Sequence, residues 1–525
     1  MSPVTVWKPR EITFESAAEK PDPGSRVDVL FTGPQGITLH RPAFFDGGRL
    51  WRVRVALPVA GDWTYQTTAS ETSDRGLHGN SGTLTCAETE LSHPVYEHGF
   101  LRASPTGTYL QHQDGTPFFW LGDTHWRFAW ERWDESNKPG WTSQFRDTVD
   151  LRIRQGFSVY QSNILSWTPP TFWDRLVSDD ELDLSFFREI LDPRFEYIAN
   201  AGLVHAVGLG WYSAVDERPA AVERFAREIV ARYGAYPLVW TLGGEVAGYD
   251  PELRTQRLDA WRNVALAIQE ADAYHHPITA HLTNERPMPA DFQSEDWLTF
   301  ALSQLGHGDM DMGKAHWEDH LRTYPGKPLV EGESFYEGLT SVESNGRRTV
   351  TDTMVRQVAY RAIQSGCCGY SYGGQGIWNG AWDANDSTSM WGRSPWYDGV
   401  ELPGATQMGY LRRFYEGIDW WMLKPAPELF STDFWTNELF YFPFVSADEN
   451  RLTVVAYFGE TYRHDEGNAQ ITGLPQTAFT LGWFDPRTGE SWVVSIGNSP
   501  NQGTLEIPKP PADGDWLFLL VADNG

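Results

Sequence analysis

Trp240-Thr241-Leu242-Gly243-Gly244-Glu245 and Lys327-Pro328-Leu329-Val330-Glu331-Gly332-Glu333 are the two stretches on which the fold turns. Each reads as a buried strand that runs into glycine and stops on a glutamate. In a βα barrel, a side chain at that point stands on the rim that holds the active site. Two carboxylates from different strands are the minimum equipment for breaking a glycosidic bond through an oxocarbenium-like transition state. The expectation is a barrel with its chemistry at the mouth.

Outward from these stretches, residues 100–423 alternate strand-like and helix-like segments, the signature of a parallel sheet. The candidate strands are Phe118–Gly122, Ser158–Asn163, Val204–Leu209, Leu238–Leu242, Ile278–His281, Phe300–Gln304, Pro328–Glu331 and Tyr370–Gly373. Eight is the number a closed (β/α)8 TIM barrel needs, and the fifth and sixth carry the weakest pattern. Residues 220–233 place Val222, Phe225, Ala226, Ile229 and Val230 at helical spacing. Residues 253–271 and 351–364 read the same way. The long insertions at 284–296 and 377–397 read as rim loops that shape a pocket.

The flanks are different. Residues 1–95 hold short alternating runs such as Val27–Phe31, Leu50–Val55 and Gly61–Tyr65, punctuated by Gly and Pro, and predict an Ig-like β-sandwich. Residues 424–525 return to short strands at Leu452–Phe458, Phe479–Phe484, Trp492–Val494 and Trp516–Val521, predicting a second β-sandwich. Neither flank carries a catalytic signature. A chain of 525 residues is expected to hold two or three such domains.

Composition narrows the partners. With 42 basic and 70 acidic residues the formal charge is −28, which argues against nucleic acid and anionic membrane surfaces. It suits a neutral oligosaccharide or glycoside, as do the 25 Trp and 21 Tyr, whose flat faces stack on sugar rings. The cysteines, Cys86, Cys367 and Cys368, imply no disulfide framework. Residues 1–20 lack a basic start followed by an apolar run, so the expectation is cytoplasmic residence. No cofactor or metal is expected, and a homo-oligomer is left open.

Glu245 and Glu333 end the fourth and seventh candidate strands, where side chains pointing across the mouth bring carboxyls to roughly 5 Å, the separation for a retaining double displacement. One should be protonated at rest and the other ionised. Glu331 rivals Glu333, because residues two apart on a strand share a face; it would enter the barrel one layer deeper. Asp123, His125 and Trp126 follow the first strand and read as a binding platform, the acid and imidazole for sugar hydroxyls and the indole for stacking. Asn163, Trp211, Tyr212, His281 and Gln304 occupy equivalent rim positions. Glu337 reads as a further contact or a loop orienter, and Tyr372, Gln375, Trp378 and Trp382 as stacking and polar contacts after the eighth strand. His316 and His320 have the i, i+4 spacing of metal ligands, but lack the Glu that the zinc peptidase motif requires; an exposed acidic helix with incidental histidines is the favoured reading.

Phe118–Trp126, Gly243–Glu245, Lys327–Glu333 and Tyr336-Glu337-Gly338 resemble the apiosidase-like glycoside hydrolases. Phe44–Gly47, Trp51–Arg54 and Gly61–Tyr65 look like the immunoglobulin-like domain that often precedes such barrels. Trp483–Gly489 and Asp515-Trp516 are similar to the β-sandwich that often follows, sometimes labelled a collagen-binding domain. The resemblance implies a (β/α)8 barrel, retention of configuration, Glu245 as acid/base and Glu333 as nucleophile. Two departures stand out. Apiosidases tend to have Asp where this chain has Glu245, and the wider clan often has Asn where it has Gly244. These point to another pentofuranoside, of the apiose or arabinofuranose kind, with His281 or Asn163 taking the 2-hydroxyl contact. The rival expectations are a non-catalytic carbohydrate-binding barrel and a metallohydrolase using His316 and His320.

Overall fold

Strands alternate with helices through the middle of the chain and pair in parallel, so each crossover must lie on the outside of a closing sheet. In the computed structural model, which describes residues 4–88, 93–166, 172–178, 181–285, 289–308, 313–343, 346–386, 392–432, 443–462 and 468–523, that sheet is a TIM barrel. The first strand, Trp120–His125, lies between the second (Val159–Asn163) and the eighth (Gly369–Tyr372). Round one side follow the third (Val204–Trp211) and fourth (Leu238–Gly244); round the other, the seventh (Leu329–Glu333) and sixth (Ala301–Gln304). The expected fifth strand is instead a run of single parallel bridges, Trp240 to Ile278, Ile278 to Leu298 and His281 to Leu302, which closes the ring. Pro277 brings no N–H, and the Ile278 N–H donates to the Thr299 hydroxyl at 2.8 Å, so a regular ladder does not form.

The first strand starts two residues later than its pattern suggests. Pro117–Phe118 pair antiparallel with Leu110–His112 in a separate three-stranded sheet that also takes in Leu101–Ala103. Asp123, Thr124 and His125 therefore belong to the strand itself and are fully buried.

Two barrel strands are irregular where it matters most. Between the third and fourth strands the register jumps from Val207 opposite Trp240 to Gly208 opposite Leu242, leaving Thr241 as an extra residue. Between the sixth and seventh it jumps from Ser303 opposite Glu331 to Gln304 opposite Glu333, leaving Gly332 extra. A bulge reverses the alternation of side chains beyond it.

The outer helices follow from the sequence. Gln144–Arg154 is capped by the Ser143 hydroxyl, which accepts from the Arg146 N–H at 2.9 Å, a contact worth about 1 kcal/mol. Pro219–Tyr233 begins on proline, whose fixed φ suits a first helical turn, and buries Val222, Phe225, Ala226, Ile229 and Val230 as its spacing predicts. Arg254–Ala271 and Asp352–Gln364 form close to where their patterns place them. Parts of the two rim insertions, 286–288 and 387–391, lie outside the described residues.

Each end of the chain adds a β-rich region. The first has seven strands, in which Thr38–Phe45 pairs through its early part with Val27–Thr32 and through Phe44 and Phe45 with Leu50–Val55, folding the sheet over a core of Val29, Phe31, Trp51, Val53 and Trp63. Its arginines reach the barrel. Arg41 Nη2 donates to the carbonyls of Val230 and Ala231, both at 3.1 Å, and Arg54 Nη1 to that of Arg232 at 3.0 Å. These carbonyls lie in the last turn of the Pro219–Tyr233 helix, where carbonyls run out of helical donors; that of Val230 also accepts from the Gly234 N–H at 2.8 Å. The second region is a six-stranded sheet containing Thr453–Phe458, Phe479–Phe484 and Trp516–Ala522, with a small three-stranded sheet beside it. Val455, Tyr457, Phe484 and Leu517 belong to the same apolar core as the barrel helices. Arg356 grips Asp515 with two bonds of 3.0 Å at that junction, both side chains buried.

Candidate active site

Glu245 follows the fourth strand in a left-handed conformation, φ 51°, as does Leu242 in the bulge, φ 57°. Such angles cost a non-glycine residue about 1–3 kcal/mol and mark positions where the surroundings impose the geometry. A Cβ on Gly243 would meet Trp261 of the outer helix, whereas one on Gly244 would meet Trp211 and Asn163 at the mouth. Simple alternation would send Glu245 back toward the helices. The left-handed turn overrides it, and the Glu245 carboxyl accepts from Gln304 Nε2 at 3.1 Å and from the Tyr249 hydroxyl.

The seventh strand uses the other bulge to the same end. Glu331, before it, faces the helix Gly313–Thr323 and accepts from Trp317 Nε1 at 2.8 Å. Glu333, after it, faces the mouth, with His307 Nε2 at 3.2 Å and His281 Nε2 at 3.3 Å. The expectation that both glutamates enter the barrel is thus corrected: the extra residue at Gly332 sends them to opposite sides of the sheet. Gln304 stands opposite Glu333 in the register while its amide donates to Glu245, so one side chain spans the gap between the two acids.

The two carboxyls sense each other and differ. Burial raises the Glu245 pKa, and the Glu333 charge raises it further, against the hydrogen bonds from Tyr249 and Gln304. Burial would raise Glu333 too, but the His307 hydrogen bond, the His281 and His307 imidazoles and the Tyr336 hydroxyl together bring it below the ordinary range. A carboxyl shifted up beside one shifted down is the pairing that suits a proton donor and a nucleophile.

The remaining expected residues divide between the mouth and the interior. His281 lies on Glu333, and Trp126 stacks on its ring at 5.5 Å. Trp126 is 2% exposed and donates to the Tyr336 hydroxyl at 3.0 Å, so it backs the site instead of offering a sugar its face. Trp211 is half-buried against the cluster of Trp126, Tyr336, Leu339 and Trp378. Trp378 donates to Gln375 at 2.9 Å, and Gln375 donates onward to the Gly392 carbonyl. Tyr212 carries the Arg257 guanidinium over its ring at 4.8 Å and meets Tyr249 edge-on at 6.3 Å. Asn163 is 1% exposed, lies between Gly208 and Gly244, and neither end of its amide has a hydrogen-bond partner among the described residues.

Other expected contacts are corrected. Asp123 and His125 are buried instead of standing free on the rim; they form an ion cluster with Arg152 and Glu131, at 2.5 Å from Arg152 Nε to Asp123 and 2.9 Å from His125 to each acid. Burial disfavours the His125 charge, but Glu131 and Asp123 on either side raise its pKa to about 9. Removing one member of such a set costs about 3–5 kcal/mol, so its role is to hold the first strand. Glu337 accepts from the Tyr372 hydroxyl at 2.7 Å and the Gly404 N–H at 2.9 Å, so it ties the segment after the seventh strand to the eighth strand and to the first turn of the helix Pro403–Glu416. Trp382 packs with Ile377, Trp396 and Val400 on the outer rim, under Arg132. His316 and His320 are not on an exposed face: they are 4% and 1% exposed, His316 on the Ser303 hydroxyl at 2.7 Å and His320 on the His316 carbonyl at 3.0 Å. His307, Tyr249 and Tyr336 touch the carboxyls and were not among the expected residues. Each lies three or four residues beyond a strand-end residue of the site, in a loop whose direction the sequence pattern does not report.

The model of the apiosidase-like catalytic domain matches residues 104–422, and that of a domain of unknown function, DUF5060, matches residues 3–70. No curated protein matches the chain. Among solved structures, a Bacteroides vulgatus ATCC 8482 protein described as a candidate glycoside hydrolase is 14% identical, with TM-score 0.74 and 99% of each chain covered. A glycoside hydrolase family 5 protein from the same organism is 18% identical, with TM-score 0.67, 83% of this chain covered and 96% of that one. Another structure, named only as a glycoside hydrolase, is 20% identical with TM-score 0.66, covering 81% of this chain and 98% of that one. At these identities the likeness is one of fold. The chain belongs to the apiosidase-like family and is a glycoside hydrolase.

Proposed function

We propose that this apiosidase-like enzyme cleaves its glycoside with retention, Glu333 attacking the anomeric carbon and Glu245 protonating the leaving oxygen, then deprotonating the incoming water. The observation that carries this reading is the opposite tuning of two acids that share one mouth. Glu333 is lowered by His307, His281 and Tyr336, and Glu245 is raised by burial and by the Glu333 charge. In the first step the Glu333 carboxylate bonds to the anomeric carbon as the C–O bond to the leaving group breaks and the Glu245 proton moves to that oxygen. In the second, water attacks the glycosyl ester, its proton returns to Glu245, and Glu333 leaves as carboxylate.

The substrate is a pentofuranoside of the apiose or arabinofuranose kind. A small furanose suits a site backed closely by the buried Trp126, Tyr336 and Trp378, and the unpaired Asn163 amide, with one donor end and one acceptor end, complements a ring hydroxyl. The test is a screen of aryl furanosides and pyranosides, followed by NMR of the first-formed anomer. Release from a furanoside with retained configuration supports the proposal; an inverted first product rejects the double displacement, and cleavage confined to pyranosides rejects the sugar.

A further inference from the structure

The mechanism leaves Glu331 unused, although it is fully buried and surrounded by polar groups. Its Oε1 accepts from the Leu305 N–H at 3.0 Å, and its Oε2 from the Ser303 hydroxyl at 2.6 Å and Trp317 Nε1 at 2.8 Å. Two of these three donors belong to residues 303–305. That short run contains Gln304, which donates to Glu245 at 3.1 Å, and leads two residues on to His307, 3.2 Å from Glu333. The Gly306 N–H also donates to the Glu333 carbonyl at 3.1 Å.

We infer that Glu331 is a positioning residue, whose carboxyl fixes segment 303–307 from behind so that Gln304 and His307 meet the two reacting carboxyls. The inference rests on the proposed roles of Glu245 and Glu333. The logic is geometric. The sixth strand ends at Gln304, and beyond it the chain has no regular ladder to define its path. A carboxyl on the neighbouring strand, before the Gly332 bulge, supplies anchors on the helix side while the residues after the bulge work on the mouth side. The groups around Glu331 are His316 of the packed helix, with Nε2 at 3.9 Å, the Cys367 thiol and the Tyr370 hydroxyl beside the eighth strand, and the Ser303 hydroxyl. None is a cation of fixed charge, so the site holds Glu331 through directed hydrogen bonds. His316 joins by its own 2.7 Å contact to Ser303.

The amide variant tests this without changing size. Glu331→Gln keeps one acceptor oxygen but sets an NH2 against either the Leu305 N–H or the Trp317 N–H, so segment 303–307 must shift. We expect kcat to fall about tenfold or more with KM within about twofold, as for a small misplacement of reacting groups. The acid limb of the kcat/KM profile should also move to higher pH by about half a unit or more, because a displaced His307 no longer holds the Glu333 charge. Ser303→Ala, which deletes one hydroxyl, should move the same limb by less and serves if Glu331→Gln does not fold. An unmoved acid limb in the folded variants overturns the inference, whether or not overall activity drops, since a merely structural role lowers rate without retuning Glu333. Glu245→Gln and Glu333→Gln run alongside separate the two failures: if both are dead, an unmoved limb rejects only the role of Glu331; if either keeps wild-type rate, the underlying reading falls.

Discussion

At the end of the fourth strand the Glu245 carboxyl meets a phenol and an amide, whereas at the end of the seventh the Glu333 carboxyl meets two imidazoles and a phenol. Both are buried, and burial alone would raise both. The difference lies in what else approaches. Burial and the charge of its partner raise Glu245 against the Tyr249 and Gln304 hydrogen bonds and the His281 imidazole; Glu333 is lowered by the His307 and Tyr336 hydrogen bonds and by the two imidazoles. Two strand ends that read alike in sequence, a glycine followed by a glutamate, are tuned in opposite directions because His281, His307 and Tyr336 gather on Glu333, whose charge Glu245 then feels.

The largest expected effect comes from removing the ionised partner. Glu333→Gln should lower kcat on the order of 10^4-fold or more for every glycoside, whatever its leaving group, measured in steady state with unchanged melting. Glu245→Gln should break the symmetry of that result. It should cost about 10^2- to 10^4-fold with a poorly activated alcohol as leaving group, but far less of the first-step rate with a nitrophenyl aglycone, which departs without a proton. Equal losses across both aglycones would remove Glu245 from the acid role.

The contrast can also be sharpened by pH. Under the proposed mechanism activity needs Glu333 ionised and Glu245 protonated, so the profile of kcat/KM should rise through the Glu333 pKa and fall through that of Glu245. His307→Gln should raise the Glu333 pKa, carry the acid limb toward higher pH and narrow the bell while the alkaline limb holds. An acid limb that stays put would take His307 out of the tuning. The smallest effect separates a raised carboxyl that reacts from one that does not. Burial lifts Glu337 from 4.5 to about 7. Between those values the folded protein keeps a proton that the unfolded chain releases, so this group's share of stability is complete below pH 4.5 and is lost as pH rises through 7. Glu337→Gln should flatten the fall in melting temperature across that window and leave both limbs of the activity profile in place. A melting curve with the wild-type slope would show that Glu337 is not the group responsible.

The sequence made the barrel, its helices and the positions of the two acids legible, because apolar runs ending in glycine and helical spacing are local signals. What escaped it depends on register. The extra residues at Thr241 and Gly332 leave no mark in an apolar pattern, yet they decide that Glu331 faces the helices and Glu333 the mouth. Asp123 and His125 looked like rim residues because the first strand was placed two residues early. Pro117 and Phe118, apolar and strand-like, are taken by the separate sheet with Leu110–His112. Their partner Arg152 sits on a helix 29 positions away from Asp123, beyond the reach of any spacing rule. His307 and Tyr249 lie in loops, where side-chain direction depends on the path of the backbone and no periodicity reports it.

Arg41 and Arg54 carry a consequence for anyone who shortens this chain. They close the carbonyl end of the Pro219–Tyr233 helix from a region far upstream, and Arg54 also holds Asp192 at 3.0 Å. A fragment starting near residue 100 would strip both guanidinium groups from that helix terminus and leave Asp192 with the Tyr233 hydroxyl but no cation from this region, on a face that has also shed its apolar cover. Such a truncation should aggregate or melt early even though Glu245 and Glu333 are both retained, since the upstream sheet supplies part of the barrel wall's own bonding.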